Sequence, residues 1–206
     1  MENRYVVKMY EKYFRPAFTR LGSPIKYREE EDWLKKCCEN HQASTVLDIA
    51  SGTGKYARLI ADACQPEMVI AFDLSMPMLE KNIEISMAGG YRNIVYIKGD
   101  AMCLPFKDHT MDHINCFGAL HLFPDAFTSI KEISRVGRDN AIFTCLTACQ
   151  QDGFISRWFQ KIFSKVASFK FFDIVELEKN LKDLGFSNFE YVAKKMLLMF
   201  VAGLKK

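Results

Sequence analysis

Three carboxylates, a small-residue turn and one histidine are the side chains of this sequence best spaced to do chemistry together. Asp48-Ile49-Ala50-Ser51-Gly52-Thr53-Gly54 joins an apolar, β-branched run, Thr45 to Ile49, to a segment, Tyr56 to Cys64, in which apolar residues return at helical spacing. Gly52 and Gly54 can take backbone angles closed to other residues and leave room where side chains would collide with a ligand. The N-terminus of the following helix adds free N–H donors and partial positive charge. An ordinary strand-to-helix connection has the same look, so the turn counts only in company. A second apolar run, Met68 to Phe72, delivers Asp73 at the interval by which dinucleotide-type folds bring a carboxylate onto ribose hydroxyls. A third run, Ile94 to Lys98, ends in Gly99-Asp100-Ala101, and a fourth, Met111 to Phe117, ends in Gly118-Ala119-Leu120-His121.

The elements that must position these residues follow from the same pattern. A helical region opens the chain, strand and helix alternate through Leu146, and a helical segment and two strands close it. That order predicts a doubly wound α/β sheet, with four consecutive strands ending in polar or small residues on one edge, where open α/β folds bind ligands. Asp173 with Glu176 three residues on reads as a capping box opening a helix that runs to Leu184 and stops at Gly185. Phe189 to Val192 and Met196 to Leu204 then read as antiparallel strands. A chain of 206 residues is one ordinary domain, with no linker, repeat or low-complexity segment to divide it. Its parts are expected to be a helical cap over 1–42, a cofactor-binding core over 43–146, a helical lid over 147–172, and a final helix and strand hairpin over 173–206.

These residues together resemble the class I S-adenosylmethionine-dependent methyltransferases, closest to the small-molecule branch related to quinone-biosynthesis methyltransferases. The likeness rests on Val46-Leu-Asp-Ile-Ala-Ser-Gly-Thr-Gly54, Phe72-Asp-Leu-Ser75 with Met78-Leu79, Gly99-Asp-Ala101 with Leu104-Pro-Phe106, and Asp112 with Leu120-His121. It is close over about 40–146 and looser at both ends. The resemblance implies S-adenosylmethionine as cofactor, held at its methionine end by Asp48, Ala50, Ser51, Gly52, Thr53 and Gly54 and at its ribose by Asp73. It further implies that Leu74 and Met78 sandwich the adenine. Asp100 would accept from the exocyclic amine, Ala101 or Met102 would offer backbone, and Cys116 and Phe117 would meet the methionine amine through main chain. The fold it implies is Rossmann-like: a seven-stranded, mostly parallel sheet with helices on both faces and an antiparallel C-terminal strand. Two positions depart from the family pattern. Ala50 stands where glycine is usual, and Arg135-Val-Gly-Arg-Asp-Asn140 replaces the usual Lys-Pro-Gly-Gly turn, although Gly137, Asp139 and Asn140 suit a turn of their own.

Composition narrows the partners. A net charge of +3 with interspersed signs lacks the concentrated basic stripe of a nucleic-acid binder, and the Lys194-Lys195 and Lys205-Lys206 pairs read as solvated ends. Met1-Glu-Asn-Arg4 is not a secretory pattern and no apolar run has the length of a membrane span, so a cytoplasmic location without stable membrane insertion is expected. The seven cysteines form no Cys-x-x-Cys pair. Cys103, Cys116 and Cys145 read as reduced core thiols, with Cys37, Cys38 and Cys149 more exposed. No metal is expected: His109 and His113 are four apart, but a turn followed by a strand need not place them on one face.

Substrate choice should lie in the two aromatic-rich ends. Tyr10, Tyr13, Phe14 and Phe18 sit at helical spacing near the start, and Phe154, Trp158, Phe159, Phe163, Phe169, Phe171 and Phe172 follow the fifth strand. Packing of an amphipathic stripe on the sheet accounts for most of them, and an apolar substrate lid, able to touch a membrane surface, for the rest. Methyl transfer needs alignment of nucleophile, methyl carbon and sulfur with water excluded, and a base is optional. His121 is the histidine the motif sets at the cofactor edge, either as general base or as a group that caps the next segment or orients substrate. Asp125 and Tyr13 are weaker candidates. The function expected is methyl transfer to a small, partly apolar or aromatic metabolite. A protein of the same fold that binds the cofactor and acts as a cyclase or scaffold is the alternative. A nicotinamide-dependent oxidoreductase fits less well, because Ala57 breaks Gly-x-Gly-x-x-Gly.

Overall fold

The computed structural model describes residues 27–150 and 170–205. Its elements are α1 (Tyr27–Glu39), β1 (Thr45–Ile49), α2 (Lys55–Cys64), β2 (Met68–Asp73), α3 (Met76–Ala88), β3 (Ile94–Lys98) and β4 (Met111–Phe117). A 3-10 turn (Leu120–Leu122), α4 (Ala126–Val136), β5 (Gly137–Ala148), α5 (Ile174–Asp183), β6 (Phe186–Lys194) and β7 (Leu197–Leu204) follow. All seven strands form one sheet in the order β3-β2-β1-β4-β5-β7-β6. Strands β1 to β5 are parallel, and β7 is antiparallel to both neighbours, β5 and β6. The chain therefore builds outward from β1 in one direction and from β4 in the other. Their carboxyl ends form the crevice in which such sheets bind ligands.

The interior strands are apolar on both faces because helices cover both. On one face α1 and α2 bury Leu34, Val46, Ala57, Ile60 and Val69; on the other α4 and α5 bury Leu47, Ile114, Ile130, Ile133, Phe143 and Leu177. Local chemistry starts and stops the helices. Asp125 caps α4 by accepting from the Phe127 and Thr128 N–H groups at 3.1 Å each, which assigns this candidate catalytic acid a structural task. Asp173 caps α5 by accepting from the Glu176 N–H at 2.9 Å, and the chain turns away at Gly185 with φ +90°. Asp112 secures the start of β1 by accepting from the Ser44 and Thr45 N–H groups at 3.1 and 2.8 Å and from Arg138.

Several expectations need correction. The sixth strand is longer than the pattern predicts, Phe186 to Lys194 instead of Phe189 to Val192, because antiparallel pairing with β7 continues past the apolar residues, whereas β7 itself starts one residue later, at Leu197. Arg135 belongs to α4, not to a turn; the irregularity before the fifth strand lies inside β5, where the register against β4 shifts and Asn140 takes φ +65°. Arg135 is a hub that donates to Glu132, Asp108 and the Phe106 and Leu104 carbonyls, pinning the loop after β3 to α4. Cys103 is exposed, whereas Cys38 and Cys149 are buried under α1 and β5 packing. Lys194 is paired with Glu29 at 2.8 Å. Phe172 is buried against Phe127 and bridges to Cys149, so it serves the core rather than a lid. Tyr10, Tyr13, Phe14, Phe18, Phe154, Trp158, Phe159, Phe163 and Phe169 lie outside the described residues.

Candidate functional site

The turn after β1 is held from β2. Ser51 N–H donates to the Phe72 carbonyl at 3.1 Å, Gly52 N–H to Asp73 Oδ2 at 2.8 Å, and Gly54 N–H back to the Ser51 carbonyl at 2.9 Å. Gly52 takes φ +54°, and a β-carbon built on it would meet nothing within 4 Å, so this face of the turn is open. Gly54 differs. A β-carbon there would run into the Asn82 side chain on α3, so its bareness serves helix packing, not ligand space. Ala50 also sits in the left-handed region, at φ +54°, which explains why glycine suits that position and makes the alanine a strained choice. Gly54 caps α2 with no side-chain hydrogen bond to the first turn of the helix.

Behind the turn runs a buried polar ladder. Asp48, Asn115 and Thr144 are in register across β1, β4 and β5. Thr144 Oγ1 donates to Asn115 Oδ1 at 2.8 Å, and Asn115 Nδ2 donates to Asp48 Oδ1 at 2.6 Å. Asp48 Oδ2 and the neighbouring Ser51 Oγ are buried with no hydrogen-bond partner. Burial first, and then the charge of Asp73, push the Asp48 carboxyl up to about 7, against the opposing pull of the Asn115 amide and the Ala57 N–H. An orphaned carboxylate of this kind invites a cation. Asn115 and Thr144 were legible only as polar residues inside apolar strands; their partnership with Asp48 comes from register. Arg58 was missed as well. It ties the Thr53 carbonyl at 2.9 Å to Asn82 and Ser86 on α3.

At the end of β2, Asp73 accepts from Gly52 N–H and, through Oδ1, from Ser75 N–H at 2.8 Å. Burial pushes its carboxyl up from the ordinary value, while the Ser75, Gly52 and Leu74 N–H groups pull it back. Leu74 is 53% exposed beside it and Met78 is buried, so one of the two apolar residues offers an open face. Asp100 is exposed after β3 and accepts from the Met102 N–H at 2.9 Å, which fixes the Ala101-Met102 backbone. Cys116 and Phe117 close β4, and the Phe117 ring packs on Tyr56 and Trp33 with centroids at 4.9 and 6.1 Å. Tyr56 in turn donates to Glu30 on α1 at 2.9 Å, which draws α1 over this end of the sheet.

His121 sits on the 3-10 turn beyond β4, buried, with Nδ1 3.3 Å from Thr147 Oγ1. Burial lowers it to about 3, so its imidazole is neutral at ordinary pH. The described residues also leave a shallow cleft lined by His41, Asp112 and Asn140, at the opposite, amino edge of the sheet.

S-adenosylmethionine fits what is here. Its ammonium suits the unpartnered Asp48 and Ser51 oxygens, its ribose hydroxyls suit Asp73, and its adenine suits the open face of Leu74, while Gly52 leaves the approach clear.

Known proteins give the same picture. A demethylmenaquinone methyltransferase of Geobacillus stearothermophilus is 31% identical over 137 residues, covering 65% of this chain and 58% of the relative. The matched region thus spans less than two thirds of that relative's length. A demethylmenaquinone methyltransferase of Bacillus licheniformis is 28% identical, over 89% of this chain and 88% of the relative. Among solved structures, the YcgJ protein of Bacillus subtilis superposes with a TM-score of 0.77 at 14% identity, over 87% of this chain and all (100%) of that one. Phosphoethanolamine N-methyltransferase 2 of Haemonchus contortus, in complex with S-adenosyl-L-methionine, gives 0.78 at 15% identity, over 90% of this chain and 54% of that one. At such identities the structures speak for the fold, a class I methyltransferase sheet. The model of the ubiE/COQ5 methyltransferase family matches residues 23–175, three quarters of the sequence, and to that family this chain belongs.

Proposed function

We propose that this chain transfers a methyl group from S-adenosylmethionine to a small, partly apolar or aromatic acceptor, of which a quinol-type ring is the kind the relatives' names favour. One observation carries the reading: the open turn at Gly52 lies between a buried carboxylate, Asp48 with an orphaned oxygen, and a half-buried one, Asp73 at the strand end. The bound cofactor supplies an activated sulfonium methyl. The chain supplies position. Asp48 and Ser51 hold the ammonium, Asp73 the ribose, Leu74 and Met78 the adenine, Asp100 with the Ala101-Met102 backbone its amine edge, and the Cys116-Phe117 main chain the methionine amine.

The acceptor space lies between the described part of the cap, α1, and the described ends of the 147–172 segment. Packing of Trp33 on Phe117 supports the first. For the second, Thr147 Oγ1 meets the His121 ring and Lys170 N–H donates to the His121 carbonyl at 2.9 Å, so both ends of the segment adjoin His121. A neutral, buried His121 orients the acceptor, and serves as base only for a proton that is already acidic. The test is incubation of the full chain with S-adenosylmethionine and a short-tailed, reduced demethylnaphthoquinone. Equal amounts of S-adenosylhomocysteine and ring-methylated product are expected, both lost in Gly52→Val. Cofactor binding without transfer to quinol, phenol or amine acceptors would overturn the proposal.

A further inference from the structure

On the helix-covered face away from the cofactor turn, three residues distant in sequence meet: Cys38 on α1, Cys64 at the end of α2 and His113 in β4. Their ligand atoms, two sulfurs and a ring nitrogen, all lie within 4.8 Å of one another. His113 is wholly buried and Cys38 is 2% exposed, while Cys64 reaches partly toward solvent.

The hydrogen bonds fix which nitrogen keeps a free lone pair. Thr144 gives its one hydroxyl proton to Asn115 Oδ1, because Asn115 must present its amide to Asp48. Thr144 can then only accept from His113 Nε2, 2.7 Å away, so Nε2 carries the proton. Nδ1 is left with a bare lone pair, buried and without a partner. Burial keeps the ring neutral, lowered to about 3. A histidine with one nitrogen tied to an acceptor and the other left with a free lone pair, in a cluster with two sulfurs, is arranged as metal-ligating histidines are.

We propose that Cys38, Cys64 and His113 form a binding site for a thiophilic divalent cation, Zn²⁺ by charge balance. Two thiolates neutralise Zn²⁺, so the loaded cluster carries no net charge into its apolar surroundings of Val46, Ile60 and Ala61. Tetrahedral Zn–S and Zn–N bonds of about 2.3 and 2.0 Å space the ligand atoms by about 3.4 to 3.8 Å, so closure asks for shifts of about 1 Å at most. The fourth position opens toward the partly exposed Cys64 side, for water or a small ligand. Loading forms two Zn–S bonds and one Zn–N bond, and each thiol loses its proton to solvent.

The test titrates the full chain, reduced and freed of metal by a chelator, with Zn²⁺ alone and with Co²⁺ alone. One equivalent binds, about two protons are released per Zn²⁺, and Co²⁺ gives an intense thiolate-to-metal charge-transfer band. Cys64→Ala and Cys38→Ala lose the band and more than tenfold in affinity, whereas Cys103→Ser, at an exposed cysteine, keeps both. Should Cys38→Ala not fold, Cys64→Ala at the half-exposed position carries the test. The proposal falls if the folded, reduced parent shows no such band, if the band survives in Cys64→Ala, or if binding depends on Cys103. A Cys38–Cys64 disulfide in the isolated protein, with no metal uptake after reduction, overturns it as well.

Discussion

Gly52 is the residue at which space for a ligand and backbone strain can be separated, because the fold provides a matched control. Gly52 and Gly90 take φ +54° and +80°, and a β-carbon on either would meet nothing within 4 Å. They differ in place: Gly52 lies in the turn after β1, beside Asp73, and Gly90 follows the end of α3. Alanine at either position pays about 1–2 kcal/mol for a left-handed angle, and about 0.4–1 kcal/mol returns through the stiffer unfolded chain. Gly52→Ala and Gly90→Ala should therefore each destabilise by about 0.5–1.5 kcal/mol. For a chain of this size that is a fall in Tm of roughly 1–6 °C. Only the Gly52 substitution adds atoms where the cofactor is proposed to lie. Gly52→Val should keep its circular dichroism spectrum yet bind S-adenosylmethionine more than tenfold more weakly, at least about 1.4 kcal/mol, by calorimetry. Gly90→Ala should bind as the parent does. If Gly52→Val binds as the parent, or if Gly90→Ala loses as much affinity, the open face of the turn is not the ligand's place and the proposed function loses its main support.

Three further outcomes follow from the same geometry. Asp73→Ala should weaken cofactor binding by about 1.5–3 kcal/mol, the range for hydrogen bonds to a charged group, and also destabilise the chain, because Gly52 and Ser75 N–H lose their acceptor; unchanged affinity in a folded variant would exclude the ribose role. Asp48, at about 7 in the folded chain against about 3.9 unfolded, favours its protonated form on folding. Its stabilisation is present below about pH 4 and lost as pH rises through about 7, on the order of a few kcal/mol. Denaturant midpoints of the parent should thus fall relative to Asp48→Asn across that window; His113 and His121, buried neutral, act in the opposite direction as pH falls but are common to both proteins. Parallel curves would remove the case for a perturbed Asp48. Ala50→Gly should relieve the left-handed angle and raise stability by up to about 1 kcal/mol in thermal melts, and a lower Tm would mean that the methyl's packing outweighs the strain.

Strand positions were legible from sequence because period and composition are local: Thr45–Ile49, Ile94–Lys98 and Met111–Phe117 have the bounds that β-branched, apolar runs imply. The Asp173 cap was legible for the same reason, since a cap is decided within four residues. The glycine turn after β1 was readable as a motif, down to Asp73 at the next strand's end. Tertiary structure decided what depends on register and on helices crossing. Asp48, Asn115 and Thr144 are far apart in the chain and become one ladder only when β1, β4 and β5 align. Gly54 proved to be a seat for Asn82 only once α3 lay against α2. Cysteine environments were misread at Cys38, Cys103 and Cys149, because burial of a small apolar thiol is set by what packs over it and not by its neighbours in sequence. The same cause hid the Cys38–Cys64–His113 cluster, whose members share no spacing, each coming from a different element. A one-dimensional pattern carries the period of each element; which side chains of different elements face one another is fixed by sheet order and helix docking.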